Sequence, residues 1–246
     1  MKGVAILKAL GPIDAKSISR DSFLRWMTIV PLAIALGTRW IMPIFIRRLE
    51  SGLGLELMPA YPAIMGAVLL QLVPLFAGMV IGFLLLDQRD DRTLTALQVT
   101  PLSLNGYLAY RLSVPTLLSV LLTLIVMPLA GFAGIGLGPL LLAAVVAALL
   151  APLVALALAA FAANKVQGFA LMKAAGIILF PPLIAYFIPP GWQPAFGVFP
   201  TYWPARLYWL YLAGQNNFWV YLAAGVLYQA LLLALLVRRF NRVMVQ

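Results

Sequence analysis

The chain has 246 residues, is 64 % hydrophobic, has a mean hydropathy of +1.02 and carries a formal charge of +10. A soluble domain is about 45–50 % apolar, so a fold of this length could not hide so much apolar surface from water, and the chain is read as an integral membrane protein. It contains neither cysteine nor histidine, which excludes disulfides, thiolate chemistry, zinc fingers and imidazole bases.

A bilayer-spanning helix needs about 20 mostly apolar residues, so the length allows six spans and little else. The expected fold is all-α, one membrane domain over 1–246. Residues 1–22 mix Val4, Ile6, Leu7, Leu10 and Ile18 with Lys2, Lys8, Lys16 and Arg20, which predicts an amphipathic helix on the membrane surface, turning at Gly11–Pro12. Its apolar run is too short for a cleavable signal peptide. Apolar segments follow at 23–46, 61–86, 107–130, 139–162, 171–188 and 218–237. The fourth carries Ala143, Ala147, Ala151, Ala155, Ala159 and Ala163 at spacing four, a smooth ridge for close helix approach, and the second has Gly78 and Gly82. We expect this ridge to pack within the subunit rather than form a dimer seam. Between the last two segments, residues 189–217 are interrupted by Pro194, Pro200 and Pro204, which forbid one long helix. Tyr202, Trp203, Tyr208 and Trp209 in this stretch suit a membrane–water boundary, either as short helices dipping inward or as an ordinary aromatic-belt loop.

With the N-terminus cytoplasmic, thirteen Lys and Arg fall inside and only Arg39, Arg47, Arg48 and Arg206 near the outer face. Cytoplasmic loops gather Lys and Arg, so both termini and the loop over 87–105 are expected in the cytoplasm, in a bacterial or archaeal plasma membrane. The net positive charge thus reports topology and implies no nucleic-acid partner.

No predicted span contains Asp or Glu, and there is no G-x-x-x-x-G-K-[ST] phosphate loop. Proteolytic, metal-dependent and ATP-hydrolysing chemistry are therefore not expected of this chain, and no cofactor or metal site is expected in it. Arg39 and Lys173 are the only cations at membrane depth, and Arg39 is close enough to the outer boundary to snorkel. Gln71, in the second span with Phe76 and Met79, is a candidate for lining a substrate pathway. Gln71 and Gln229 serve equally well as hydrogen-bonding glue between helices.

Three of the seven acidic residues crowd into "DQRDDRTLTALQVTPLS", residues 87 to 103. Asp87, Asp90 and Asp91 supply N-cap and first-turn acids for a short helix through Thr93, Leu94 and Leu97, and Ser103 can cap the next span. Alternating acids and Arg89 and Arg92 fit a docking surface, and fit equally a solvated loop with topogenic arginines.

The stretch "LLLDQRDDRTLTALQVTPLSLNGYLAYRL" resembles the loop after the second membrane helix of type 2 ATP-binding-cassette (ABC) exporter permeases. The matching positions are Asp87, Arg89 to Arg92, Thr93–Leu94, Thr100–Pro101–Leu102–Ser103, Tyr107–Leu108 and Arg111. "SRDSFL" at 19–24 is similar to the family's Arg-Asp start of helix 1, and Asp87 stands where Glu is common. The resemblance implies a permease subunit of an ATP-driven efflux system, working as a homo- or heterodimer, of the fluoroquinolone or multidrug-export kind. Separate ATPase subunits would bind ATP and Mg and grip the loop as a coupling helix through Asp87, Arg89, Asp90, Asp91, Arg92, Thr93, Leu94 and Leu97. It also implies a cavity lined by helices 1, 2 and 5. Two alternatives remain at this stage: a non-transporting membrane scaffold that holds a soluble partner by the same loop, and an ion-coupled carrier.

Overall fold

The computed structural model describes residues 3–54, 56–90 and 104–244. The fold is helical, with no strand among the described residues. In chain order the helices are α1 (Gly3–Arg20), α2 (Ser22–Trp40), α3 (Met42–Leu53), α4 (Tyr61–Asp90), α5 (Leu104–Leu129), α6 (Leu137–Ala148), α7 (Leu150–Phe161), α8 (Lys165–Ile177), α9 (Phe180–Tyr186), α10 (Tyr202–Leu212) and α11 (Phe218–Met244). Among the described residues four helical stretches are long and apolar enough to cross a membrane: 61–89, 106–129, 137–161 and 218–242. A fifth is reached if α2 and α3, bent by 46° at Ile41, are counted together.

The fifth expected segment, 171–188, is divided. Pro181 and Pro182 have no N–H to return to Ile177 and Ile178, so the helix stops after Ile177 and restarts at Phe180. The carbonyl freed at Ile178 is taken by the hydroxyl of Thr201, which donates to it at 2.6 Å. The broken backbone is thereby satisfied by protein, as an apolar surrounding requires.

α4 is the axis of the bundle: 83 % of its apolar window is buried, against 11 % for α11 at the periphery. α7 lies along it. A Cβ at Gly78 would stand 2.4 Å from the Ala151 carbonyl oxygen, and one at Gly82 would stand 2.6 Å from Leu158 Cδ1. Ala143, Ala147, Ala151, Ala155 and Ala159 are all buried, so the ridge packs inside the subunit as expected. Only Ala163, beyond the helix end, is exposed.

The stretch before α11 is broken, as its prolines require, into a 3-10 turn (Gln193–Val198) and α10. α10 is buried rather than a belt loop. Its Tyr208 hydroxyl donates to Pro62 O at 3.2 Å and its Trp209 indole to Ala63 O at 3.0 Å, which pins it to the first turn of α4. Gly66 leaves the space that the Tyr208 ring tip fills.

The N-terminal expectation needs correction. α1 does not turn at Gly11–Pro12 but runs through Pro12 to Arg20. Proline fits helical φ, and the turn that follows it is anchored by Asp14 as described below. Asp21 then caps α2, accepting from the Phe23 and Leu24 amides at 2.9 and 3.2 Å.

Candidate functional site: the base of the charged loop

α4 extends four residues past its expected end and carries Asp87, Gln88 and Arg89 as its last turn. This corrects the capping role given to Asp87, which lies inside the last turn of α4 instead of opening a following helix. A carboxylate at a helix C-terminus opposes the helix dipole. Here Lys165, at the start of α8, offsets it with Nζ 2.8 Å from Asp87 and 3.3 Å from Asp21. Arg89 turns back inside the chain and donates to Ala162 O at 3.3 Å. Asp87 and Arg89 are therefore held by their own subunit. The side chain of Asp90, together with Asp91, Arg92, Thr93, Leu94, Leu97 and Ser103, lies outside the described residues.

Burial disfavours the charge on both Asp21 and Lys165. It is outweighed at Asp21 by the Leu24 and Phe23 amides and Lys165, so the Asp21 carboxyl titrates below its ordinary 3.8. At Lys165 it is outweighed by the bonds to Asp87 and Asp21, so the ammonium titrates above its ordinary 10.5.

The far side of the loop is tied just as closely. Arg111 on α5 is fully buried and donates to Asp14 of α1 at 2.6 Å. Tyr110 donates to the same carboxylate oxygen at 2.8 Å, and Arg111 Nε donates to the Tyr107 hydroxyl at 3.1 Å. Tyr107 in turn donates to Gln88 Oε1, closing the two ends of the loop on one another. The Arg111 guanidinium also lies 5.3 and 5.6 Å from the Tyr107 and Tyr110 ring centres. The last turn of α4 and the first turns of α5 thus form one clamp, bonded to α1 through Asp14 and to the α7–α8 corner through Lys165 and Arg89.

Asp14, Gln88, Tyr107 and Lys165 were not singled out as functional residues by the sequence. A usable signal existed: Asp14 is the only acid in α1, and Arg111 sits among apolar residues, so each demanded a partner.

Further along α4, Phe76 and Met79 line a cleft of about 370 Å³ shared with Phe23 and Trp26 of α2 and Met172 of α8. Among the described residues no charged side chain lines it. Gln71 is not part of it. It is 1 % exposed, its amide donates to Ala67 O at 3.0 Å within its own helix, and its Oε1 has no partner among the described residues. Gln229 is likewise buried. Arg39 is exposed and donates to Pro128 O and Leu129 O at 3.4 and 3.3 Å, capping the C-terminal carbonyls of α5. Lys173 is exposed.

Comparison with known families matches residues 14–237 to the model described as fluoroquinolones export permease protein Rv2686c-like. The chain belongs to this export-permease family. Two curated relatives, both named fluoroquinolones export permease protein, come from Mycobacterium tuberculosis strains H37Rv and CDC 1551 / Oshkosh. Each is 33 % identical over 243 residues, covering 98 % of this chain and 96 % of the relative. No solved structure matches. The match runs from Asp14 in α1 to Val237 in α11, so both ends of the clamp lie within the family's extent. The reading as a transmembrane efflux permease is borne out.

Proposed function

We propose that this permease is the membrane subunit of an ATP-driven ABC exporter, acting as a dimer above separate ATPase subunits that bind ATP and Mg. The loop over 87–105 receives the ATPase, with Asp90, Asp91, Arg92, Thr93, Leu94 and Leu97 as its contact residues. Asp87 and Arg89 fix the loop's base rather than meet the partner. The observation that carries this reading is the clamp. A push on a loop whose two ends are bonded together displaces α4 and α5 as one body, a rigid-body switch. At 1.5 Å per residue, Met79 and Phe76 lie about 12 and 16 Å along α4 from Asp87, so the displacement reaches the apolar cleft.

The cleft, between α2, α4 and α8, is the proposed substrate path, with Phe76 and Met79 on its wall and Gln71 buried away from it, bonded within α4. In this reading the chain crosses the plasma membrane six times, with α2–α3 and α8–α9 as bent or broken crossings and both termini cytoplasmic. The relatives' names make fluoroquinolones the first compounds to try.

The test is purification of the permease with candidate ATPases, followed by ATPase activity across a compound panel that includes fluoroquinolones. Stimulation by a subset of compounds, reduced by Phe76→Ala and Met79→Ala, supports the reading. Efflux that survives ATP depletion and collapses with the membrane potential refutes it. Added cysteines at Ser103 and Gln246 should resist an impermeant thiol reagent in intact cells, while one at Gln215 should react. Labelling of the first two from outside would overturn the orientation.

A further inference from the structure

At the end of α4 opposite the clamp lies a cavity of about 420 Å³, floored by Pro62 and Ala63 and walled by Tyr186, Gln193, Arg206 and Trp209. Its lining differs from that of the clefts beside Phe76 and Leu232, which contain no charged side chain. Arg206 is the one charged group on this wall among the described residues. Among the described residues no carboxylate lies within ion-pair distance of it, whereas Arg111 has one such partner and Lys165 two.

The guanidinium is nonetheless held in place. Arg206 donates through Nη1 to Gln193 Oε1 at 2.6 Å, and the Gln193 amide donates to Ile188 O at 3.0 Å. Gln193 is 7 % exposed, so this bracket is rigid. The Tyr221 ring lies 5.2 Å from the guanidinium carbon. Arg206 Nε is sealed from water with no partner among the described residues. An oriented, half-buried cation without an acid attracts an oxyanion, and arginine's planar fork suits carboxylate and phosphate. The aromatic walls, where Tyr186 packs edge-on to Trp209 at 5.3 Å, provide apolar surface beside the charge.

We propose that this cavity is an anion site, binding an oxyanion carried on an apolar body: an organic carboxylate, or the phosphate of an anionic lipid. The size fits, since small-molecule sites span about 300–1,000 Å³. The site stands independently of any ATPase, so its failure and the failure of the exporter reading are separate results.

The experiment is equilibrium binding to the full chain in phosphatidylcholine nanodiscs, with empty-disc partitioning subtracted. The probes are 2-naphthoate and its neutral isostere 2-naphthamide. Because hydrogen bonds to a charged group contribute about 1.5–3 kcal/mol, naphthoate should bind at least about tenfold tighter than naphthamide. Arg206→Gln should abolish that preference, and Arg206→Lys should largely keep it. If Arg206→Gln fails to fold, the preference in the unmodified chain and in Arg206→Lys still decides. Discs containing phosphatidylglycerol separate the two sources. Loss of naphthoate binding there, with a lipid affinity that falls in Arg206→Gln, assigns a lipid phosphate. Unchanged binding assigns a free organic acid. Equal binding of the two probes, equal naphthoate binding by Arg206→Gln, or no saturable anion binding in either disc overturns the proposal.

Discussion

α4 is fixed at two places by different physics. Its middle is held dry, by glycines packed closely on α7: Gly78 against the Ala151 backbone and Gly82 against the Leu158 side chain. Its last turn is held by charge, through Asp87 with Lys165 and through Gln88, Tyr107, Arg111 and Asp14. Dispersion contacts of the first kind fall away within an ångström, so that seam tolerates little sliding. Charged pairs are longer-ranged and can exchange partners. The difference places a stiff pivot in the bilayer and a polar joint beside the loop, the arrangement a lever needs.

The largest effect should come from the joint's buried half. Removing one partner of a buried ion pair costs about 3–5 kcal/mol, because the other charge is left unpaired. Arg111→Met should therefore destabilise the protein by that amount in a thermal or denaturant assay in detergent. The double change Asp14→Leu with Arg111→Met should recover most of it, since apolar replacement of a whole pair is often near neutral. If the single and double variants lose the same stability, the pair is not the joint. Retained stability with lost drug-stimulated ATPase in the double variant would sharpen the claim that the joint serves coupling rather than folding.

The pivot comes next. Gly78→Ala places a methyl against the Ala151 backbone, which cannot swing aside, so an overpacking cost of about 1–3 kcal/mol is expected. Pairing it with Ala151→Gly gives little relief, because the clash is with backbone. Full stability in Gly78→Ala would show that α4 and α7 are not in this contact.

The smallest effect belongs to Lys165, whose side chain is 35 % exposed. Partly exposed pairs contribute about 0–1 kcal/mol, so Lys165→Ala should barely move the melting temperature. The pH behaviour identifies its contribution. Asp21 titrates below its ordinary 3.8, so its share is present above that pH and is lost as pH falls through the lowered value. Lys165 titrates above its ordinary 10.5, so its share is present below that and is lost as pH rises through the raised value. Between pH 5 and 9 the difference between Lys165→Ala and the unmodified chain should be flat. A difference that changes within that window would contradict the triad.

The features legible in the sequence were local ones. The Ala-every-fourth ridge and Gly78/Gly82 announced the pivot, because helix periodicity sets which residues share a face. The 84–111 stretch carried the family. That Asp14 and Arg111 each needed a partner was legible, but their pairing was not, because they stand 97 residues apart and only tertiary packing brings them together. Asp87 was misplaced for a related reason. Acids ordinarily mark a helix start, and that local preference is overridden by Lys165, 78 positions downstream. The break at Ile178 was present in the sequence as Pro181–Pro182, but the apolar run around it was read as continuous.

The central claim is that residues 87 to 105 receive the ATPase and that the joint conveys its push, and it is tested most directly by proline at Ala96. The sequence predicts a short helix there, and proline inside a helix costs about 3 kcal/mol without touching any span. The measurement is co-purification of the ATPase and drug efflux from reconstituted vesicles, with membrane insertion checked in the same preparation. The account predicts normal insertion, lost ATPase binding and lost efflux in Ala96→Pro. Unimpaired ATPase binding and efflux in that variant would contradict it.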